Sequence, residues 1–214
     1  GTQAAETSSS ASPSPERTDT GSAKPASTAT PTASSKAALP EDWRPEEPTV
    51  LATGQKVPDD YEPATLEHPA RNVPKPVMPP EAKEETEAGA QAFLNYRADA
   101  QWYAFQTGDT SLVRDVTSTS CDRCFNQFTR IEENYASGSW MAGGSESSHI
   151  LPNSFQPRAS GEYTLPINAR SSGVIVIDDG KIVNRQEPYS SDNLLDVSVI
   201  RKGQSWIYIT ASPR

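Results

Sequence analysis

Residues 121–143 read CDRCFNQFTRIEENYASGSWMAG, and within this stretch the hydrophobic period changes once. Cys121, Cys124, Phe125, Phe128, Ile131 and Tyr135 recur at the three-and-four spacing of an amphipathic helix. Ser118-Thr119-Ser120 supplies a cap cluster before it and Gly138 its natural stop. Beyond Gly138 the period falls to two. Short segments at 139–143, 147–151, 162–169, 174–177, 181–183, 194–201 and 205–210 are bounded by Gly-Gly, Pro-Asn, Ser-Gly and Asp-Gly turn signals. Asp178-Asp179-Gly180 between VIVI and KIV is the clearest hairpin signal, and Lys202-Gly203 closes another before Trp206-Ile207-Tyr208-Ile209.

Towards the N-terminus, Glu81, Glu84, Glu85 and Glu87 crowd the start of an earlier helix, where acids complement the positive end of the helix dipole, and that start is expected near residue 83. Phe93, Tyr96, Ala100 and Tyr103 form one stripe along it, and Leu94, Ala98, Trp102 and Phe105 the adjacent one. Gly108 ends it. Asp109-Thr110-Ser111 then caps a short helix over 111–117 that buries Leu112, Val113 and Val116. Helices first and a strand meander afterwards define an α+β domain, with the N-terminal helices packed on one face of an antiparallel sheet.

The rest of the chain has a different composition. Residues 1–83 hold 14 of the 19 prolines but only Trp43 and Tyr61 of the 16 aromatics, so only 84–214 has the material for a core. In 1–40, 30 positions are Ser, Thr, Ala or Pro, and ordering them would cost about 1 to 2 kcal/mol per residue with almost nothing buried in return. A disordered spacer is expected over 1–40, an acidic Pro-rich linker over 41–83 and a globular domain over 84–214. Trp43, Val50, Leu51 and Tyr61 are the linker residues able to dock on the domain.

The net charge of −9 is spread evenly, and no basic cluster exceeds Arg201-Lys202. Nucleic acid and anionic lipid both need a basic footprint, so neither is expected as a partner. No apolar run approaches the roughly 20 residues needed to cross a bilayer.

Several ordered motifs carry a resemblance. Glu87-Ala88-Gly89-x-x-Ala92-Phe93, Tyr96, Thr107-Gly108-Asp109, Cys121-x-x-Cys124, Ile131-x-x-x-Tyr135-x-x-Gly138, Gly143-Gly144 and Gly203-x-x-Trp206 resemble a family of actinobacterial cell-envelope lipoproteins with a domain of unknown function. The likeness covers about residues 84–211. It implies a cone-shaped arrangement of helices on a curved sheet, similar to nuclear transport factor 2. It also implies an extracytoplasmic address at the outer face of the cell membrane, through a lipidated cysteine preceding Gly1 and absent from this chain.

Cys121 and Cys124 are the only cysteines. Three residues apart at a helix start, their Cα atoms sit about 5 to 6 Å apart, within the span of a disulfide. Outside the membrane the pair is expected to be oxidised. Free thiols, a redox pair favoured by Arg123 and the helix N-terminus, and half of a metal site are the other readings. A zinc site needs four ligands and only His68 and His149 remain as imidazoles, so no metal and no cofactor is expected.

Trp102, Tyr103, Phe128, Tyr135, Trp140, Trp206 and Tyr208 are candidates to line a cavity between helices and sheet, or else to fill it as core. Two functional classes follow. The first is a noncatalytic envelope lipoprotein module that binds a protein, a wall component or a small ligand. The second is a cone-fold enzyme of isomerase or dehydratase type with Asp99 or His149 as base. An open cavity with either residue inside favours the enzyme. A thiol-disulfide protein using Cys121 and Cys124 is a third reading.

Overall fold

Thr86 sets the start of the first helix: its Oγ1 accepts a hydrogen bond from the Gly89 amide at 2.9 Å, satisfying a donor that the first helical turn leaves free. In this computed structural model, which describes residues 39–190 and 195–214, α1 therefore spans Glu87–Thr107. A separate 3-10 turn, Pro80–Lys83, precedes it, and Glu84 between them is extended. The helix thus begins a turn later than residue 83 because Thr86, not the acidic cluster, supplies the cap. Two further helices follow, α2 (Ser111–Asp115) and α3 (Asp122–Ala136). The Arg114 guanidinium clamps them together, with Nε and Nη2 donating to the two oxygens of Glu132 at 2.9 and 3.1 Å. Thr110 Oγ1 donates to the same carboxylate.

Eight strands come next: β1 (Trp140–Gly143), β2 (Glu146–Ile150), β3 (Glu162–Ser171), β4 (Val174–Asp178), β5 (Lys181–Gln186), β6 (Tyr189–Ser190), β7 (Leu195–Lys202) and β8 (Ser205–Pro213). The fold is α+β with two antiparallel sheets, one ordered β1-β4-β5 and the other β2-β3-β7-β8 with β6 also on β3. The Asp178-Asp179-Gly180 signal forms its hairpin, with φ of 45° at Asp179 and 68° at Gly180 giving the two left-handed positions of a primed turn. β7 and β8 pair from Lys202↔Ser205 onward, as Lys202-Gly203 foretells. β6 was not expected; two exposed residues carry no period to read. Leu194, the expected first residue of the sixth segment, lies outside the described residues, as does the expected spacer apart from Leu39 and Pro40.

Alternation along the larger sheet is regular. On β3, Tyr163, Leu165, Ile167 and Ala169 are buried, and the even-numbered positions between them are more exposed. Cross-strand partners on the same face are Ile150 on β2, Val197 and Val199 on β7, and Trp206 and Tyr208 on β8. Against this face pack Phe93, Leu94 and Phe105 of α1 and Phe128 and Ile131 of α3.

Residues 41–83 depart from the expectation of a free linker. They form a strap laid on the domain. Leu51 is 5 % exposed and Ala82 1 %, and Pro45 and Pro76 are buried. Trp43, Ala64 and Leu66 pack on the small cluster of Ala142, Ile175 and Ile177 on the three-stranded sheet, and the Tyr61 ring lies 5.7 Å from that of Trp102. The Trp140 indole donates to the Thr65 carbonyl at 2.8 Å, Trp206 Nε1 to the Glu84 carbonyl at 3.0 Å, and Tyr163 to Glu85 at 2.9 Å. Arg185 donates to the Pro40 carbonyl at 2.9 Å and also to that of Glu41. Proline forbids regular structure here but stiffens the unfolded chain, so an irregular docked path loses less entropy than a flexible coil would. The strap is why α1 is buried on opposite faces, with Phe93 and Leu94 towards the large sheet and Asp99, Trp102 and Gln106 away from it.

Candidate functional site

The inner face of the large sheet is not filled evenly. At one end Tyr163 stacks on Phe155 at 4.5 Å, and both meet the Trp206 ring edge-on, at 5.2 and 6.0 Å. Along β2 and β3 the cross-strand pairs run Ile150↔Ile167, Ser148↔Ala169 and Glu146↔Ser171, so large side chains give way to small and polar ones. A cavity of about 600 Å³ opens there between α1, α3 and the sheet.

Three arginines border this cavity: Arg97 from α1, and Arg123 and Arg130 from α3. Among the described residues Glu146 is its one acid. Arg97 is 8 % exposed, its guanidinium carbon lies 3.6 Å above the centre of the Tyr208 ring, and its Nε has no hydrogen-bond partner among the described residues. Burial pushes the Glu146 carboxyl above the usual carboxylate range, against the pull of the Arg97 charge and of the Tyr189 hydroxyl, which donates to its Oε2 at 3.3 Å. Burial likewise pushes the phenols of Tyr189 and Tyr208 up, keeping both as neutral donors. Arg123 Nη2 donates to the Ala211 carbonyl at 2.5 Å and ties α3 to β8.

A second cavity, of about 810 Å³, lies between strap and domain and shares Glu146, Ser171 and Tyr189 with the first. Asp99 and Trp102 line it from α1, and Trp43, Glu46 and Glu47 from the strap. Asp99 is 3 % exposed, and its two oxygens accept the amides of Ala52 at 2.7 Å and Thr53 at 2.9 Å. Burial raises its carboxyl, and the hydrogen bonds from residues 52 and 53 oppose that rise. Glu47 accepts from Tyr61 at 2.9 Å and from the Gly143 amide at 3.2 Å, and burial pushes its carboxyl up as well.

The seven aromatic candidates are not brought together. Of them, Tyr208 alone borders the helix–sheet cavity, and Trp102 borders the strap cavity. Phe128 and Trp206 are fully buried core. Tyr135 is half-buried, its hydroxyl donating to the Phe105 carbonyl at 2.7 Å. Trp140 belongs to the small-sheet cluster, and Tyr103 is half-buried on α1. Asp99 borders a cavity, but one formed by the strap, and its oxygens are occupied in docking that strap. His149 is exposed on the outer side of β2, opposite Asn168, and borders neither cavity.

Arg97 and Glu146 were missed by sequence reasoning, though Arg97 carries a signal. It stands three residues after Leu94 and four after Phe93, in the middle of the apolar face of α1, where a guanidinium needs a partner. Nothing in the run Gly144-Ser145-Glu146 marks Glu146.

Cys121 and Cys124 are joined, with an S–S distance of 2.02 Å and Cα atoms 5.2 Å apart, at the start of α3 and in the wall of the helix–sheet cavity. Among the described residues no group of His, Cys, Asp and Glu is arranged to hold a metal, and no helix is long and apolar enough to cross a membrane.

A disulfide-closed α+β domain with an ordered strap and a basic internal cavity is thus the class of protein the fold defines. Residues 59–212 match a family of unknown function, DUF6318, and the chain belongs to it. The match begins within the strap, upstream of α1. None of the curated proteins matches the chain.

Proposed function

We propose that this protein is a noncatalytic binding module of the cell envelope that takes a small ligand into the cavity between α1, α3 and the five-stranded sheet. The observation that carries this reading is the cavity itself: about 600 Å³, within the roughly 300–1,000 Å³ typical of ligand sites, with walls that mix apolar side chains and polar groups. The envelope address rests on the resemblance of the ordered motifs to actinobacterial lipoproteins, on the Ser/Thr/Pro/Ala-rich leader suited to a spacer, and on a disulfide of the kind kept in oxidising surroundings. In that family a lipid on a cysteine upstream of Gly1 would tether the module to the membrane. A cone-shaped fold like that of nuclear transport factor 2 accords with helices laid over one face of a sheet.

The noncatalytic reading is favoured over the isomerase or dehydratase alternative by the use of Asp99 in docking and by the outward position of His149. It is favoured over a thiol-disulfide role by the setting of the cysteine pair, which follows two helices rather than a strand–helix unit. Native mass spectrometry of the protein isolated from its own envelope tests the reading. A co-purifying small molecule that leaves on denaturation is expected, and a protein of bare mass that also takes up no small molecule offered to it would overturn the proposal. Mass analysis of the mature N-terminus tests the anchor separately, and a terminus without lipid removes it.

A further inference from the structure

The geometry points to a small organic anion, an oxyanion head on an apolar body, as the ligand of the helix–sheet cavity, with Arg97 as the residue that reads the head. The inference rests on the binding reading above and specifies its chemistry.

A guanidinium that is nine-tenths buried is costly unless its charge and its N–H groups are both answered. Tyr208 answers part of the charge through its ring face, and Glu146 lies close enough to interact with it. The Nε–H faces no acceptor among the described residues. A guanidinium engages a carboxylate or phosphate through two parallel hydrogen bonds, from Nε and one Nη or from its two Nη groups. Nε of Arg97 is covered by packed atoms, so the Nη groups are what a ligand in the cavity bordered by Arg97 can reach.

The charge around it has the matching sign. The chain carries a net charge of −9, yet this cavity presents three arginines and one carboxyl. Arg123 and Arg130, both exposed, stand on α3 where a ligand would enter. The remaining wall is mixed, and its apolar part, with Leu94, Phe105, Ile167, Val174 and Val197, is where the hydrocarbon body behind the head would lie. Glu146 and the ligand head then compete for one guanidinium, and the resident acid limits affinity.

Three probes of equal chain length, hexanoate, hexan-1-ol and hexylamine, separate head from body. Each is titrated into the full chain by calorimetry and by NMR of the arginine Nε–H resonances. Saturable binding of hexanoate in the millimolar range or tighter is expected, with the Arg97 resonance shifting, hexan-1-ol weaker and hexylamine weakest. Glu146→Gln, nearly the same shape, is expected to tighten hexanoate about tenfold by removing the competing charge. Arg97→Gln, checked for folding by circular dichroism, is expected to lose it. Should Arg97→Gln fail to fold, Glu146→Gln decides alone: unchanged or weaker hexanoate binding overturns the inference. Binding of hexan-1-ol or hexylamine as strong as that of hexanoate overturns the anion and leaves the cavity reading standing. Binding of none of the three overturns both.

Discussion

Asp99 acts here as an anchor: a buried carboxylate that holds two strap amides. Asp99→Ala leaves the Ala52 and Thr53 amides without acceptors inside a part-buried contact. Hydrogen bonds to charged groups are worth roughly 1.5 to 3 kcal/mol each, so for the two a loss of about 3 to 6 kcal/mol is expected in urea denaturation. Glu146 is the opposite case, since burial makes its ionisation unfavourable. Its folded pKa lies above the ordinary carboxylate value of 4.5, so its contribution to stability is fully present below about pH 4.5 and is lost as pH rises through the folded value. Glu146→Gln is therefore expected to melt at a higher temperature than the wild type at pH 7 and at nearly the same temperature at pH 4. Thermal melts at the two pH values test the sign. Neither role was legible in the sequence, because the partners stand far along the chain: Asp99 with Ala52 and Thr53, Glu146 with Arg97 and Tyr189. Periodicity locates faces, not the groups that meet across them.

Elements with a strong local signal were read correctly and elements held by long-range contacts were not. The β4–β5 hairpin is written in Asp179-Gly180, and α3 in the spacing from Cys121 to Tyr135, because a few neighbouring residues dictate each. The strap has no such code. Its prolines exclude helices and central strands, and within the strap the structure contains only a 3-10 turn and isolated bridges such as Val50↔Lys56 and Glu62↔Arg71. Its aromatic and apolar residues mark it as able to dock, but nothing local shows that backbone groups such as the Ala52 and Thr53 amides find partners on the domain. Where strap meets α1 a close approach makes a prediction against the usual sign. Alanine is normally about 1 kcal/mol better than glycine within a helix. A Cβ at Gly89 would sit 2.3 Å from the Glu84 carbonyl oxygen and 2.8 Å from that of Glu81. Gly89→Ala is therefore expected to destabilise, by about 1 to 3 kcal/mol, in the same denaturation experiment.

At the scale of the molecule, the disulfide and the strap stabilise in different ways. The Cys121–Cys124 loop is short, so its chain-entropy contribution is about 2 kcal/mol. Reduction is expected to lower the denaturation midpoint by that amount without unfolding the domain at room temperature, since the packing of Phe93, Phe128, Leu165 and Trp206 does not depend on it. A protein that unfolds on reduction alone would show that the core is weaker than its burial implies. The strap is fastened in series, at Pro40 and Glu41 by Arg185, at Ala52 and Thr53 by Asp99, at Thr65 by Trp140 and at Glu84 by Trp206. That order has a mechanical meaning. Tension applied to the chain at Leu39 reaches the Arg185 fastening first, then each of the others in turn, and arrives at α1 last. The strap peels one anchor at a time while the sheets stay loaded only through the next anchor in line. Drawn out straight, residues 39–83 span about 150 Å, so under force the segment would lengthen like a fuse before the helix feels the pull.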